Sequence, residues 1–431
     1  MIAPTEPGQP DRLSIAALGR LGGRVSVPAY DVLSASPTVV HIGPGVFHRA
    51  HQAAYSDTAL STGDRSGAIC AVSLRSAELQ HVLTNQDHLY TMVETDNAGE
   101  RFRVVGAIRE SLVARTEPER VLARLSDPAI TVVTITVTEN GYCSIGSTGA
   151  LDVTREEIEH DIRAPAAPVS LPGFLVEALR RRRHDGVSPF TVVSCDNLQS
   201  NGPATRRVVT ELAAHRGGDL AEWIAASVAF PSSMVDRMVP ATTESIRTLV
   251  EKTTGCADGW PVVTEPFSQW VLEDHFPTGR PRWEAAGVEL VGDVRPYEQA
   301  KLRILNGAHS AFAYFGLLAG HSEIADAVAD PVLRSAVMDM LEYEVIPTLR
   351  APAGTNLTEY AASVIHRFGN RTLGYTTAKV AGDGSQKIPV RILATARDQL
   401  AAGRPVQRLA AVVAAYAACV FGPRAIELNV A

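Results

Sequence analysis

An α/β domain followed by a mostly α-helical one is the fold this sequence predicts, and three observations predict it. A buried extended segment, Thr38-Val39-Val40-His41-Ile42, runs straight into a glycine turn and then a helix. Short β-branched strands then alternate with helical stretches as far as about residue 233. Beyond residue 298 strands cease, and alanine, leucine and valine recur at helical spacing. A chain of 431 residues is long enough for two cores. The change of pattern places the two domains at 1–233 and 234–431.

Residues 1 to about 36 read as a mobile lead-in with one short amphipathic piece at 13–21. The strand at 38–42 then meets Gly43-Pro44-Gly45-Val46-Phe47-His48-Arg49, a turn that opens a helix. Strand, glycine turn and helix form the phosphate-binding layout of dinucleotide folds, in which glycines let the backbone approach a pyrophosphate. The match is partial, because His48 stands where the usual third glycine would be. Gly43, Gly45, Phe47, His48 and Arg49 are candidate cofactor residues. Arg49 offers a charge to phosphate or is a solvated side chain, and His48 and His51 read equally as helix-start surface residues.

A second buried strand at 68–74 ends in Arg75-Ser76, where such folds usually carry an acid for the adenosine ribose. Arg75 there suits a ribose 2′-phosphate, which keeps NADP open beside NAD, or it is an ordinary exposed residue. A hairpin follows at 90–112, then a short helix at 118–125. The β-branched strand at 129–137 delivers Glu139, either a site residue at a strand's carboxyl end or a turn acid. The helix at 171–183 ends in a run of arginines read as a solvated surface. The strand at 190–195 delivers Asp196, Asn197 and Asn201 to the same rim. Residues 231–237 read as the passage between domains. In the helical half, 382–389 is a loop of turn residues carrying Lys387.

Composition narrows the function. A hydrophobic share of 45% and a net charge of −7 describe an ordinary globular chain and argue against a nucleic-acid-binding surface. Five cysteines without a CxxC pair or histidines at ligand spacing offer neither a disulfide framework nor a metal site, so no metal is expected. No segment has the pattern of a signal peptide or the length of a membrane span, and a reducing cytoplasm fits best. The oligomeric state is left open.

One stretch concentrates chemistry. Lys301-Leu302-Arg303-Ile304-Leu305-Asn306-Gly307-Ala308-His309-Ser310 sets a lysine, an amide and an imidazole in apolar surroundings. Burial disfavours a charged lysine, which makes it a proton acceptor, and an amide donates to an oxygen that gains negative charge. On a continuous α-helix the α-carbons of Lys301 and His309 would lie roughly 12 Å apart along the axis. Either an extended substrate lies along the segment or the backbone bends near Gly307. A core helix with a snorkelling lysine and a hydrogen-bonded histidine accounts for the same residues.

Several separate stretches, taken in order, resemble the mannitol dehydrogenase family of polyol-specific long-chain dehydrogenases, which includes mannitol 2-dehydrogenase and fructuronate reductase. They are His41-Ile42-Gly43 with 47–52, Ser194-Cys195-Asp196-Asn197, Phe230-Pro231 with 233–237, Glu265-Pro266-Phe267 with Gln269-Trp270, 301–310, and Asp383-Gly384-Ser385. The resemblance implies a Rossmann-type amino-terminal domain, a helical substrate domain, and NAD or NADP as cofactor. It implies Lys301 as general base, Asn306 and Asn197 as amides on the reacting oxygen, His309 as the histidine that positions the carbinol, and Glu139 as a gate for the proton. It also implies Asp236 and Lys387 as substrate contacts. The expected reaction is D-mannitol to D-fructose without metal. Fructuronate reduction is the alternative, with Lys387, Arg367 or Arg391 meeting a carboxylate, and a non-catalytic dinucleotide-binding sensor is the reading from another class.

Overall fold

The structure is a computed structural model that describes residues 11–146 and 148–422. It divides the chain into two compact units. One takes in the residues up to Thr95 and Glu100–Val294, the other Asp96–Gly99 and the residues from Arg295 on. The change of unit therefore falls at 294/295, later than the 233/234 that the pattern suggests.

The reason lies in 233–291, which builds sheet structure of the first unit. Ser233–Asp236 pairs antiparallel with Gln269–Glu273, which pairs with Glu289–Val291. Arg237 is buried, and its guanidinium donates to the carbonyls of Ala50 (2.6 Å) and Glu265 (3.0 Å) and to Glu94 (2.5 Å). Removing such a cation from water is costly unless it is fully bonded, so residues 231–237 are anchored rather than a passage between domains.

Five parallel strands form the main sheet of the first unit: β1 (Pro37–Ile42), β2 (Ala68–Ser73), β3 (Ile108–Val113), β4 (Val132–Ile135) and β5 (Thr191–Ser194), in the order β3-β2-β1-β4-β5. Val40, Ile42, Val72 and Val133 face one core, with Phe174 and Leu212 of the helices beyond. Val39, Ile69, Ala71 and Val132 face the other, against Ala53 and Leu60. Near-continuous apolar strands are what a parallel sheet covered on both faces needs. The expected Rossmann-type layout is present, and the strand order reverses at β1, the switch point where such sheets hold ligands.

A second sheet of four strands orders Val262–Thr264, Tyr90–Asp96, Gly99–Val105 and Val25–Ser26. The hairpin expected at 90–112 thus contributes two strands here and its third, β3, to the main sheet. The lead-in is not mobile where it is described. Asp11–Arg12 pairs with Cys256–Ala257, and Leu13, Ala17 and Val25 are buried. Its first ten residues lie outside the described residues.

The arginine run of Leu171–His184 is not simply a solvated surface either. Arg182 is 2% exposed and donates to the carbonyls of Leu125, Ser188, Asp127 and Ile130, while Arg180 and Arg181 hold the buried Glu177.

The second unit is helical, as expected, with Gly307–Ala319, Leu357–Phe368 and Gln407–Phe421 among its helices. Three of its segments, Lys301–Asn306, Leu341–Val345 and Pro389–Leu393, are π-helical. The expected loop at 382–389 is mostly helix, Gly384–Ile388, after a turn at Asp383 with φ 58°. No described helix is long and apolar enough to cross a membrane, and no group of three or more His, Cys, Asp or Glu among the described residues is arranged to hold a metal ion.

Candidate active site

The glycine turn after β1 is shaped by where a side chain will not fit. Gly43 has φ 94°, and a Cβ there would lie 2.1 Å from the carbonyl oxygen of Thr136 at the end of β4. Its N–H donates to Val72 O at the end of β2 (2.9 Å). The turn is therefore wedged between the two strand ends that flank the switch point, in a conformation suited to glycine. Gly45 is different: it is exposed, and a Cβ would meet nothing nearer than Gly43 O at 4.0 Å. Its N–H donates to Gly43 O (2.7 Å) and its carbonyl accepts from the Arg49 N–H (3.2 Å), so what Gly45 leaves at the start of helix α1 (Val46–Ala50) is space.

Beneath the turn lies a buried pair of imidazoles. His41 Nδ1 is 2.8 Å from Thr134 Oγ1, and its Nε2 is 2.9 Å from Thr136 Oγ1 and 3.2 Å from Gly43 O. The His48 ring stacks on it with centroids 3.3 Å apart. Burial pushes His41 down to about 3, and burial, then the neighbouring His41 and Arg49, hold His48 well below the usual range. Both rings are neutral near pH 7. His48 and His51 are thus core residues rather than the surface residues their helix-start position suggested, and His51 Nε2 meets Gln269 O at 2.9 Å.

Arg49 also turns inward. Its guanidinium is buried between the rings of Tyr90 (5.5 Å) and Trp260 (5.8 Å) and donates to Trp260 O. Such a cation is satisfied by carbonyl and π faces, so Arg49 is a packing residue and not a phosphate contact. Phe47 stays half-buried, stacked on His51 at 5.0 Å. Arg75 is exposed just past β2, with a 3.9 Å ion pair to Glu157. A turn that shuts out a side chain at 43, open space at 45 and an exposed side chain past β2 together fit a dinucleotide.

The ends of β4 and β5 are locked to each other. Asp196 accepts from the N–H groups of Val137 (3.0 Å) and Thr138 (2.9 Å) and from Tyr142 Oη (2.7 Å). Burial raises its pKa, and those same bonds pull it back. This carboxylate fixes the turn on which Glu139 stands, exposed, at the carboxyl end of β4. Asn197 follows, also exposed. Asn201 then exchanges bonds with Ser233, Nδ2 to O at 2.8 Å and N–H to Oδ1 at 3.0 Å, beside Gly202, where a Cβ would meet Phe230 O at 2.4 Å. Asp236, 4% exposed, sits three residues on, opposite Gln269. Glu139 and Asn197 thus follow the carboxyl ends of the neighbouring strands β4 and β5, while Asp236 stands in a separate sheet.

In the second unit the decisive feature is the backbone of Lys301–Asn306. The N–H of Gly307 bonds to Leu302 O, five residues back, and Gly307 itself is helical at φ −63°, so the helix widens without bending at the glycine. On an α-helix residues five apart point about 140° apart. In a π turn, closed by i→i+5 bonds, residue 306 returns over residue 301. His309 lies three residues further on the α-helix and so shares that face. Arg303, bonded to Thr348 Oγ1 (2.9 Å) and Asp398 (2.6 Å), and the buried Ile304 and Leu305 hold the other sides.

Lys301 is half-buried, Asn306 is buried, and Asn306 Nδ2 and His309 Nε2 are buried atoms with no hydrogen-bond partner among the described residues. His309 stacks on Phe368 (4.6 Å) and meets the edge of Tyr375 (5.9 Å). Burial first, then the charges of Arg391, Lys387 and Arg367, push its pKa down to about 3.

Lys387 folds over its own turn, with Nζ donating to the carbonyls of Gly382 and Val380 and lying 3.7 Å from Asp383 Oδ2. Burial and then Arg391 lower its pKa. The turn exists because Gly384 passes under two tyrosines, where a Cβ would be 2.4 Å from Tyr416 and 2.6 Å from Tyr314 Oη.

The sequence matches the family model of the mannitol dehydrogenase Rossmann domain over residues 37–285 and that of the mannitol dehydrogenase C-terminal domain over 293–425. The chain belongs to the mannitol dehydrogenase family. It is similar to D-mannonate oxidoreductase of Escherichia coli (strain K12), 41% identical over 91% of this chain and 82% of that one. It is equally similar to a mannitol 2-dehydrogenase of Pyrenophora tritici-repentis, 41% identical over 91% of this chain and 70% of that one. Among solved structures it superposes on Pseudomonas fluorescens mannitol 2-dehydrogenase, crystallised with NAD and D-mannitol, with a TM-score of 0.88 at 37% identity, covering 97% of this chain and 88% of the other.

Membership in the mannitol dehydrogenase family makes the chain an oxidoreductase. Sequence reasoning put Asp196 and Asn201 on the rim without the bonds by which they hold it, and gave His41 and Arg237 no supporting part. Asp196 and Asn201 bracket Asn197 at a strand end, and His41 lies within an apolar strand, which were usable signals; nothing local marked Arg237 as buried.

Proposed function

We propose that this protein is an NAD(P)-dependent oxidoreductase that interconverts a secondary alcohol and its ketone on a linear polyol or sugar acid, acting in the cytoplasm. The observation that carries the reading is the π-widened turn, which puts Lys301, Asn306 and His309 on one face with Asn306 Nδ2 and His309 Nε2 buried and awaiting partners. A substrate oxygen would complete both.

The nicotinamide, when bound, supplies or takes the hydride. Lys301 takes the hydroxyl proton on oxidation and returns it on reduction, which calls for a lysine partly withdrawn from water. Asn306 and Asn197 donate to the reacting oxygen as it gains charge. His309, neutral, orients the carbinol. Glu139, exposed, passes the proton between the lysine and water, and Asp236 and Lys387 hold the substrate. Gly43, Gly45 and Phe47 seat the dinucleotide.

Two substrate pairs suit this chemistry. D-mannitol with D-fructose is the neutral one. A ketouronate such as fructuronate, with its aldonate, is the anionic one, favoured by the three cations around His309. The test crosses NADH and NADPH with fructose, other ketoses and ketouronates. NAD(P)H oxidation with at least one is expected, and none with any would return the chain to a dinucleotide-binding sensor. If Arg75 reads a 2′-phosphate, Arg75→Ala weakens NADPH about tenfold and leaves NADH within about twofold; equal losses would reject Arg75 as the reader of that phosphate.

A further inference from the structure

The helical run 295–319 is widened only over Lys301–Asn306, and something must keep the widening there. A π turn holds one surplus residue, and nothing in the hydrogen-bond ladder itself fixes where along a helix that residue sits. With the surplus anywhere outside 301–306 the segment returns to α geometry, in which residues five apart point about 140° apart, and the amide leaves the amine. The address of the turn therefore decides whether the two groups meet. Two arginines fix it. Inside the turn, and roughly opposite Lys301 round the helix, Arg303 donates from Nη1 to Thr348 Oγ1 at 2.9 Å and from Nη2 to Asp398 Oδ2 at 2.6 Å. Downstream of the turn, the buried Ser310 accepts from Arg391 Nη1 at 3.1 Å.

The wall on which Arg303 docks is itself tied together. Thr348 Oγ1 donates to Val345 O at 2.7 Å, at the end of the π-helical Leu341–Val345, so its proton is committed and a lone pair faces the guanidinium. Asp398 stands on the helix Ala394–Ala401, which the buried Gln399 joins to the same π segment, Nε2 to Tyr343 O at 3.1 Å. The Arg303 side chain is 12% exposed, so its two bonds are made largely out of water, where charge-assisted bonds are strong and directional. We propose that Arg303 is a positioning residue: it holds the surplus residue within 301–306 and so keeps the Asn306 amide over the Lys301 amine. It acts from the back of the helix and touches neither substrate nor cofactor. This rests on the roles proposed above for Lys301 and Asn306 and deepens them.

The experiment measures kcat, KM and NADH affinity in the native protein, Arg303→Met, Asn306→Ala and the double variant, with fructose or fructuronate, whichever the native protein reduces. Arg303→Met keeps an apolar stem and removes both bonds. It should lower kcat about 30-fold and leave KM and the NADH Kd within about threefold. Because Arg303 acts through the amide, adding the same change to Asn306→Ala should lower kcat no more than about threefold further. A residue that only supports the fold would multiply the two losses, and that result would overturn the assignment. So would a kcat within about twofold of native in Arg303→Met beside a crippled Asn306→Ala, which leaves the redox reading intact. If Arg303→Met does not fold, Thr348→Val removes one acceptor of the guanidinium at nearly constant shape. It should lower kcat about fivefold and add little to Asn306→Ala; no loss, or a fully additive one, would overturn the assignment equally. A native kcat in Asn306→Ala, or reduction of neither substrate by the native protein, would overturn both readings.

Discussion

The glycine turn of the first unit and the π turn of the second both lie on polar residues set in apolar sequence, yet they are built in opposite ways. At Gly43 and Gly45 what matters is that no side chain stands there: one position is closed by Thr136 O, the other is left open. At 301–309 what matters is which side chains stand there and on which face. On the proposed function, a cofactor common to many enzymes would be met by shape, and a reacting carbon by particular functional groups. Mutations in the two places should therefore fail differently.

The largest effect is expected at the second place. Lys301→Ala should lower kcat on the order of 10²–10⁴-fold at neutral pH while NADH affinity, followed by fluorescence titration, and urea stability stay close to native. A variant with normal rate would remove the lysine from the mechanism and with it the contrast. Next come the two glycines. Gly43→Ala should lose about 2–4 kcal/mol of urea stability, since φ 94° and the 2.1 Å approach to Thr136 O leave a methyl nowhere to go. Gly45→Ala should keep stability within about 0.5 kcal/mol and raise the dinucleotide Kd roughly tenfold. Equal stability losses would erase the distinction between a closed and an open position.

The smallest effect near neutrality is acid weakness under the glycine turn. His41 is held near 3 and His48 also well below its usual value, so the fold accepts both rings only when neutral. That contribution is complete above the unfolded value of about 6.5 and is lost as pH falls from there towards 3, by up to about 1.4 kcal/mol per pH unit for each ring. Urea titrations from pH 7 to 4 should show it, with a shallower fall in His41→Gln. A stability flat over that range would mean that the pair is not held neutral.

Much of this was legible beforehand because it depends on local pattern. The β-branched runs at 38–42 and 129–137 became β1 and β4. What was not legible depends on the partner. His48 and Arg49 look like helix-start surface residues until Trp260 and His41 close over them. Arg182 looks solvated until four carbonyls converge on it. The boundary was misplaced because residues 233–291 are short strands whose pairing partners are distant in sequence. The π turn has no sequence signature of its own: an α-helical pattern predicts its apolar positions equally well.

A π turn is an α-helix that carries one residue more than its hydrogen bonds require. Removing Leu302 or Arg303 would let the ladder close as a plain α-helix in which the amine and the amide stand four residues apart and the amine and the imidazole seven, so that all three stay on one side of the cylinder. The widened turn thus absorbs one residue without turning the face, and a gap of one at this point would leave the three groups together, whereas a gap of one beyond residue 306 would carry the imidazole about 100° away.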